Sequence, residues 1–341
     1  MDPISHAVFW WTITHALFGK TYGRKVTTYG LVASMLPDID ILVQYIPGIN
    51  PLWASFFHRT MTHSVPFALI AAPLIWRAFS CTPWWKKISW KTWWLITLIA
   101  LFSHIFLDWM TTYGVRVFRP FIDYGFEANI ISVIDVFFTI PLWCILLWYL
   151  ITSGKKKNWS YAWWSRWIGV SFAWLYLAIM ALFQTNLKAS IEHDMQQAWV
   201  QYTRIFASPQ ILQPFLRYGI VQLPDNSYKV TYTSIFDSQP RTYQNIYGYH
   251  DDIKTLTAKN HRIDKLIRRS HGWYKGDIQW WITTFVDLRF GKLLWWENTS
   301  SNSYVFTYAV WENILPYQLW QAPSQPLGEI WTLYWRRVWG N

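Results

Sequence analysis

Long apolar runs in the first half of the chain constrain its fold more than any other feature. The clearest are residues 93–115, 133–151 and 167–183, and each approaches the roughly 20 apolar residues that a helix needs to cross a bilayer. Three less regular segments lie before them: 4–19, 26–46 and 65–85. The sequence therefore predicts an α-helical membrane domain of about six spans.

The second of these segments carries a break. Pro37, Asp38, Ile39 and Asp40 interrupt its apolar sequence. Proline disfavours the helical conformation in the residue before it, so residues 26–36 are expected to form a half-helix that ends at these carboxylates.

The composition changes after residue 183. Residues 184–341 are polar and aromatic with mixed charge, and they predict a small α+β domain after a membrane domain of residues 1–183. Segments rich in β-branched and aromatic residues predict strands at 218–223, 228–236, 278–289 and 304–311. Residues 251–270 are expected to form a helix that stops at Gly272.

The distribution of Lys and Arg predicts the orientation. Loops 20–25, 77–91 and 155–166 carry eleven basic residues, and the opposite loops carry three, Arg59, Arg116 and Arg119. By the positive-inside rule the first set is cytoplasmic, so the second domain is expected to be extracytoplasmic. Basic residues arranged in this way reflect membrane topology, and they argue against a nucleic-acid partner in spite of the net charge of +11.

Ionisable residues collect at one depth of this predicted topology. They lie at or near the outer ends of the spans and in the outer loops: His6, Asp38, Asp40, His58, His63, His104, Asp108 and Asp135. Each ionisable group costs about 2.5–3.5 kcal/mol in a membrane on insertion scales, so their accumulation indicates a functional site.

The residue types indicate metal chemistry. His104 and Asp108 are four residues apart and project from one helix face. Imidazole and carboxylate are ligands of zinc and of harder divalent ions, and a bound metal activates water for attack. Arg59 is suited to a phosphate group, and a free carboxylate or imidazole could act as a general base.

Simpler interpretations exist for single residues. His15 is expected to be a packing residue, and Cys81 and Cys144 are expected to form no disulfide. A proton or ion pathway would instead spread its polar groups through the bilayer.

Several motifs resemble one family, the predicted membrane-bound metal-dependent hydrolases, a group that includes a LexA-regulated inner-membrane member. The opening Met1–Ala7 is similar to theirs, and residues 36–40 resemble the motif L-P-D-x-D. Residues 58–64 resemble H-R-G-x-T-H-S with Thr60 in place of glycine, and residues 103–108 resemble S-H-x-x-x-D. The further similar elements are residues 112–114, 119–121, Ile134-Asp135 (followed by Val136 where the family has proline) and 283–291. The resemblance implies a bacterial inner (plasma) membrane location.

The order of these residues is also similar to the metal-ligand order of zinc-dependent phospholipase C and P1-type nuclease. This likeness implies that His104 and Asp108 bind metal with His6, one of Asp38 and Asp40, and one of His58 and His63. We take Asp38 and His58 as the ligands of each pair. The expected catalytic or supporting residues are Asp40, His63, Arg59 and Asp135.

These observations predict a membrane-embedded metal-dependent hydrolase of an amphiphilic lipid phosphoester. Zinc is the expected metal, with manganese or another divalent ion as alternatives. A non-catalytic metal-stabilised scaffold and a metal or ion transporter are the other candidate functions, and a nuclease is a weaker one.

Overall fold

The computed structural model describes residues 1–49, 57–79, 88–152, 159–248, 250–279, 282–292, 304–310, 316–319 and 327–340. The chain divides into two compact units, Met1–Ala181 and Leu182–Asn341. The first is helical and the second contains β-sheets, which confirms the expected order of a helical region and a β-containing domain.

Among the described residues, six α-helices begin in the first unit: α1 (Pro3–Tyr22), α2 (Arg24–Met35), α3 (Val65–Phe79), α4 (Trp90–Trp109), α5 (Val136–Thr152) and α6 (Trp159–Gln197). Asp2 caps α1 by accepting from the N–H of Ser5. The predicted half-helix is confirmed, because α2 ends at Met35 and a 3₁₀ helix, Pro37–Tyr45, follows.

The expected count of six spans is not met. Two helical segments in the described part of the chain are long and apolar enough to cross a membrane, α4 and residues Trp167–Gln197 of α6. Two shorter apolar helices are Val65–Arg77 and Val136–Ile151. The prediction failed at α2 because its 12 residues rise only about 18 Å, well short of the bilayer core. Residues 80–85 of the third expected span lie outside the described residues.

Helix α1 departs from the expected span for a different reason. Its sequence interrupts the apolar residues with Ser5, His6, Thr12, Thr14 and His15, and all of these side chains are buried. These polar groups lie in the interior of the unit, and α1 is not among the helices of the described residues that are long and apolar enough to cross a membrane.

The second unit contains two four-stranded antiparallel sheets. The first has the order β1 (Arg204–Pro209), β2 (Leu216–Gln222), β3 (Tyr228–Ser234) and β4 (Gln244–Ile246). Two helices follow, α7 (His250–Lys259) and α8 (His261–Arg269). The second sheet has the order β5 (Tyr274–Gln279), β6 (Ile282–Lys292), β7 (Tyr304–Val310) and β8 (Tyr317–Leu319), and helix α9 (Leu327–Val338) comes last.

Two sequence predictions for this unit are wrong in the same way. The strand expected at 278–289 is divided, since Ile278 lies in β5 and pairs with Thr283 of β6. The helix expected at 251–270 is also divided, because the Asn260 side chain caps α8 through the N–H of Arg262. In the first case the chain reverses between two antiparallel strands, and in the second a side-chain cap begins a new helix. Neither interruption is visible in the continuous apolar pattern. Gly272 ends the helical segment with a left-handed φ of 71°, as expected.

The first sheet is covered on both faces. On one face, the end of α6 places Leu187, Ile191 and Met195 against Val221. On the other, Tyr218, Ile220 and Val230 pack with Val286 and Leu288 of β6. Close approach of α6 requires Gly219, because a Cβ at this position would lie 2.6 Å from Cδ1 of Ile191.

Candidate metal centre

Four side chains of ligand type converge in the first unit. Asp38 comes from the 3₁₀ helix, His63 from the loop before α3, and His104 and Asp108 from successive turns of α4. One ligand atom of each lies within 4.8 Å of those of the other three. Their spacing suits a group that binds one cation, since carboxylates and imidazoles would otherwise place bare lone pairs against each other.

The two imidazoles face each other through their Nε2 atoms, which are 3.0 Å apart. Oδ1 of Asp38 lies 3.2 Å from Nε2 of His63 and 3.4 Å from Nε2 of His104. Oδ2 of Asp108 lies 3.4 and 3.6 Å from the same two nitrogens. The four atoms are two nitrogens and two oxygens, a donor set suited to zinc and acceptable to manganese.

A backbone carbonyl determines the tautomer of His104. Nδ1 of His104 lies 2.6 Å from the carbonyl oxygen of Ser34, which can only accept a hydrogen bond. Nδ1 therefore carries the proton, and Nε2 of the neutral ring presents its lone pair to the cluster.

A hydroxyl relay has the same effect on His63. The Thr62 hydroxyl donates to Oδ2 of Asp40 at 2.5 Å, and it lies 2.9 Å from Nδ1 of His63. Because this hydroxyl donates its one hydrogen to the bond with the carboxylate, it accepts a hydrogen bond from Nδ1–H of His63. The second ring thus also turns a bare Nε2 to the cluster, supported by a carboxylate of the kind that orients metal-bound histidines.

The two carboxylate oxygens of Asp108 have different surroundings. Oδ1 receives Arg59 Nη2 at 3.0 Å, His6 Nε2 at 3.2 Å and the amino group of Met1. Oδ2 is buried, has no hydrogen-bond donor and points toward the two imidazoles. A carboxylate oxygen left in this state is costly unless a cation binds it, so the residues fit a divalent metal.

His6 and His58, both predicted ligands, lie outside this group of four. The His6 ring stacks on His104 with centroids 3.7 Å apart, and its Nε2 contacts Oδ1 of Asp108. His58 bonds through Nδ1 to Oδ1 of Asp40 at 2.7 Å, and its Nε2 lies 4.0 Å from Asp38. His63, for which the sequence predicted a catalytic role, is one of the four side chains that converge.

The centre opens on the side of His58. The side chains of Asp38 and His58 are 16% and 15% exposed, whereas His63, His104 and Asp108 are fully buried. Burial lowers the pKa of the His58 imidazole below its ordinary value, against the opposing hydrogen bond of Asp40.

Arg59 adopts a strained backbone conformation beside the cluster. Its φ is 61°, in the left-handed region that non-glycine residues seldom adopt, and its side chain is buried. The guanidinium donates to Thr111 Oγ1 at 3.1 Å and stacks on Tyr113 at 4.7 Å. Thr60, which stands where the similar family has glycine, is not among the described residues of positive φ, so its side chain is accommodated without strain.

Asp135 caps helix α5. Arg116 and Arg119, the other two predicted basic residues, form an ion-pair group apart from the cluster. The Asp135 carboxylate accepts from the N–H groups of Phe137 and Phe138 in the first turn of α5, and from the Tyr176 hydroxyl. Arg116 and Arg119 both pair with Asp123, at 2.6 and 2.8 Å. The hydrogen bond from Arg119 lowers the pKa of Asp123.

Sequence reasoning missed two supporting groups, the Ser34 carbonyl and the Thr62 hydroxyl. A main-chain acceptor leaves no signal in the sequence. The hydroxyl next to His63 was visible in the motif, and its role follows only from its distances to Asp40 and His63.

Comparison with known proteins connects the helical unit to a family. A model of the YdjM inner membrane protein family matches residues 1–188. The chain belongs to this family. The YdjM match contains every residue of the candidate metal centre and supports an inner-membrane location.

Two further proteins are similar to parts of this YdjM family member. The uncharacterized protein YfhP of Bacillus subtilis is 27% identical over 46% of the chain and 42% of its own length. The inner membrane protein YbcI of Escherichia coli is 32% identical over 33% of the chain and 63% of its own length. The chain thus spans less than two thirds of either relative, and no solved structure matches it.

Proposed function

We propose that this chain is a multi-pass inner-membrane hydrolase that uses a divalent metal, with zinc as the first candidate, to cleave a lipid phosphoester. The observation that carries the proposal is the convergence of Asp38, His63, His104 and Asp108 with both Nε2 lone pairs directed inward. A metal bound there would supply a Lewis acid and an activated water.

The open side of the centre favours hydrolysis over a scaffold role. A structural zinc site is closed by its protein ligands, whereas a catalytic site keeps one accessible position. Here Asp38 and His58 are reached by solvent, and Asp40 holds the His58 ring through Nδ1. His58 Nε2 is therefore free of the Asp40 bond and faces the same side as Asp38.

The residues around the cluster suit attack on a phosphodiester. A bond forms between the water oxygen and phosphorus, and one phosphorus–oxygen ester bond breaks. His58 would hold the proton released by the water at Nε2, and it would return that proton to the leaving alkoxide. Arg59 contacts Oδ1 of Asp108 through Nη2 at 3.0 Å, and its positive charge would favour an anionic substrate bound at the cluster.

A transporter role is less supported. Such a role needs polar groups beyond the cluster, and His15 was the candidate from the sequence. The His15 ring instead stacks on Trp11 at 4.8 Å and contacts the tilted ring of Tyr149 at 4.0 Å, as a packing residue does.

The first experiment measures metal content of the detergent-purified full chain by mass spectrometry. We expect near-stoichiometric zinc or manganese in the wild type and its loss in His104→Ala and Asp108→Ala. The matched control is His15→Ala, which removes another buried histidine of the same unit and should keep the metal.

Turnover separates the hydrolase from the scaffold. We expect the metal-loaded chain to hydrolyse phosphatidylglycerol in mixed micelles, and His58→Asn to retain the metal but lose most of the rate. Metal without turnover of any phosphoester would support the scaffold. A folded wild type that binds no divalent metal after reconstitution would remove both proposals.

A further inference from the structure

The second unit presents an aromatic patch on its surface. We define the patch as the side chains Phe215, Phe236, Trp331, Trp335 and Trp339. Three of these are large exposed residues, with Phe236 43%, Trp331 55% and Trp339 51% accessible. Ile235, 44% accessible, extends the patch at one edge.

Helix α9 supplies one row of the patch. Trp331, Trp335 and Trp339 follow each other at intervals of four residues, so they lie along one side of the helix and its final turn. The neighbouring side is the one that anchors α9, since Tyr334 and Val338 are buried against Leu216. Trp335 also packs against this cluster, whereas Trp331 and Trp339 are 55% and 51% exposed.

The other part of the patch comes from the β2–β3 region. The Phe236 ring lies 5.4 Å from Phe215 and 5.1 Å from Trp339. Asp237, the next residue, forms a bidentate ion pair with Arg337, and Arg337 also donates to the carbonyl of Tyr232 at 2.7 Å. These contacts hold the loop against α9, so the patch is rigid before it meets any partner.

The composition of the patch identifies the partner. Tryptophan favours the headgroup level of a bilayer, because its ring is apolar and its indole N–H can stay hydrated. Arg336 is exposed on the same helix and can meet anionic headgroups. Tryptophans at the centre of a protein–protein interface are typically buried in pockets, whereas Trp331 and Trp339 are 55% and 51% exposed.

We propose that this aromatic patch inserts into the headgroup region of the membrane, so that the second unit is a peripheral membrane domain. The inference rests on the patch and on the inner-membrane family. It does not depend on the hydrolase proposal, because a scaffold would carry the same surface.

The β2–β3 hairpin offers an internal control for the test. Leu216 pairs with Ser234 at the end beside the patch, and Gln222 pairs with Tyr228 at the other end, next to the exposed turn residue Asp225. Six residues of strand separate the two ends by about 20 Å. If the patch is inserted, Asp225 lies well out in the water.

The test places a nitroxide label at Ile235→Cys or Asp225→Cys in the full chain, with Cys81 and Cys144 changed to serine. The chain is reconstituted one copy per nanodisc in phosphatidylethanolamine and phosphatidylglycerol. Collision with oxygen, which concentrates in lipid, is compared with collision with a water-soluble nickel chelate. We expect oxygen to dominate at Ile235 and nickel at Asp225.

A variant pair sharpens the result. The double variant Trp331→Ser/Trp339→Ser should increase the collisions of the Ile235 label with the nickel chelate relative to oxygen. Trp199→Ser should leave this ratio unchanged. Trp199 is 92% exposed and lies four residues before Thr203, which bonds to Gln222 at the far end of the hairpin. Nickel-dominated values at both label positions would overturn the proposal. A second copy of the chain is the other outcome. In that case the label at Ile235 would show spin–spin broadening in detergent, and this broadening would disappear in single-copy nanodiscs without any gain in oxygen collisions.

Discussion

The imidazoles of His63 and His104 reach the same protonation state by different routes. The Nδ1–H of His104 donates a hydrogen bond to the Ser34 carbonyl, whereas the Nδ1–H of His63 donates to the Thr62 hydroxyl, which in turn donates to Asp40. A main-chain acceptor cannot be removed by substitution, so His104 is oriented by the fold. His63 is oriented by a side chain, and this difference can be tested.

Replacing Thr62 by valine should weaken metal binding. The substitution keeps the shape but removes the hydroxyl between His63 and Asp40, so the ring loses the partner that holds the proton on Nδ1. Loss of such outer partners costs about 10–100-fold in metal affinity. Competition with a chromogenic chelator measures the change.

Thr62→Ser is the control for that substitution, since it restores the hydroxyl and should restore most of the affinity. Equal affinities for the valine variant and the wild type would show that the relay does not support His63.

The sequence identified the residue types of the site better than their roles. The i, i+4 spacing of His104 and Asp108 follows from helix geometry, so their joint contribution was predictable. The choice between His58 and His63 depends on the path of a loop whose turn contains Arg59 in the left-handed region. The backbone path of this loop cannot be predicted from the periodicity of apolar residues.

Two departures from the similar family's motifs have local explanations. The left-handed residue of the loop is Arg59, so Thr60 needs no glycine-like conformation. Val136 takes the first position of α5, where proline is favoured because its φ suits a helix and the N–H there needs no helical partner, but where other residues are also accepted. Valine meets the same requirement, and Asp135 still accepts from the first turn.

At the scale of elements, the helices that carry the site pack through small residues. Gly30 of α2 lies against the indole of Trp10 in α1, and a Cβ there would overlap the ring. Trp10 belongs to the same core cluster as Val26, Ala33 and Trp93, which joins α1, α2 and α4. The end of α2 is the segment that supplies the Ser34 carbonyl and leads to Asp38.

Gly30→Ala should therefore destabilise the first unit and its metal site together. Overpacking of a closely fitted core costs about 1–3 kcal/mol in free energy of unfolding. The measurement is the thermal midpoint in detergent, with bound metal determined on the same sample.

Gly328→Ala adds the same methyl group in α9, where nothing lies within 4 Å, and should leave both readings unchanged or slightly improved. A Gly30→Ala chain as stable and as metal-rich as the wild type would show that α1 and α2 tolerate a wider separation.

The type of an element could be predicted where the sequence carries one clear pattern. The prediction failed where a strand or helix pattern is interrupted by a turn or a cap. The strands β2, β3 and β7 were expected from β-branched and aromatic residues, and the structure contains them. The short edge strands β4 and β8 have three residues each, too few to show alternation. Helix α9 was missed, because the sequence analysis predicted no element after residue 311.

At the scale of the whole molecule, the charge distribution makes a prediction that the helix bounds alone do not. The basic loops should be cytoplasmic and the second unit extracytoplasmic. In a chain without native cysteines, Asp225→Cys should react with a membrane-impermeant maleimide in intact spheroplasts, because the turn is exposed. Lys20→Cys should react only after the cells are opened. Labelling of Lys20→Cys in sealed spheroplasts, with Asp225→Cys protected, would reverse the orientation.

The convergence of Asp38, His63 and His104 has a consequence for how the chain reaches its folded state. These residues are separated by 25 and 41 positions in sequence, so an ion held by all three would act as a cross-link that closes two loops. Closing loops of this length removes about 3–4 kcal/mol of chain entropy from the unfolded ensemble. Acquisition of the ion and completion of folding would then be a single thermodynamic event. A cell starved of that ion would be left with a chain open to proteolysis rather than with an idle but intact protein.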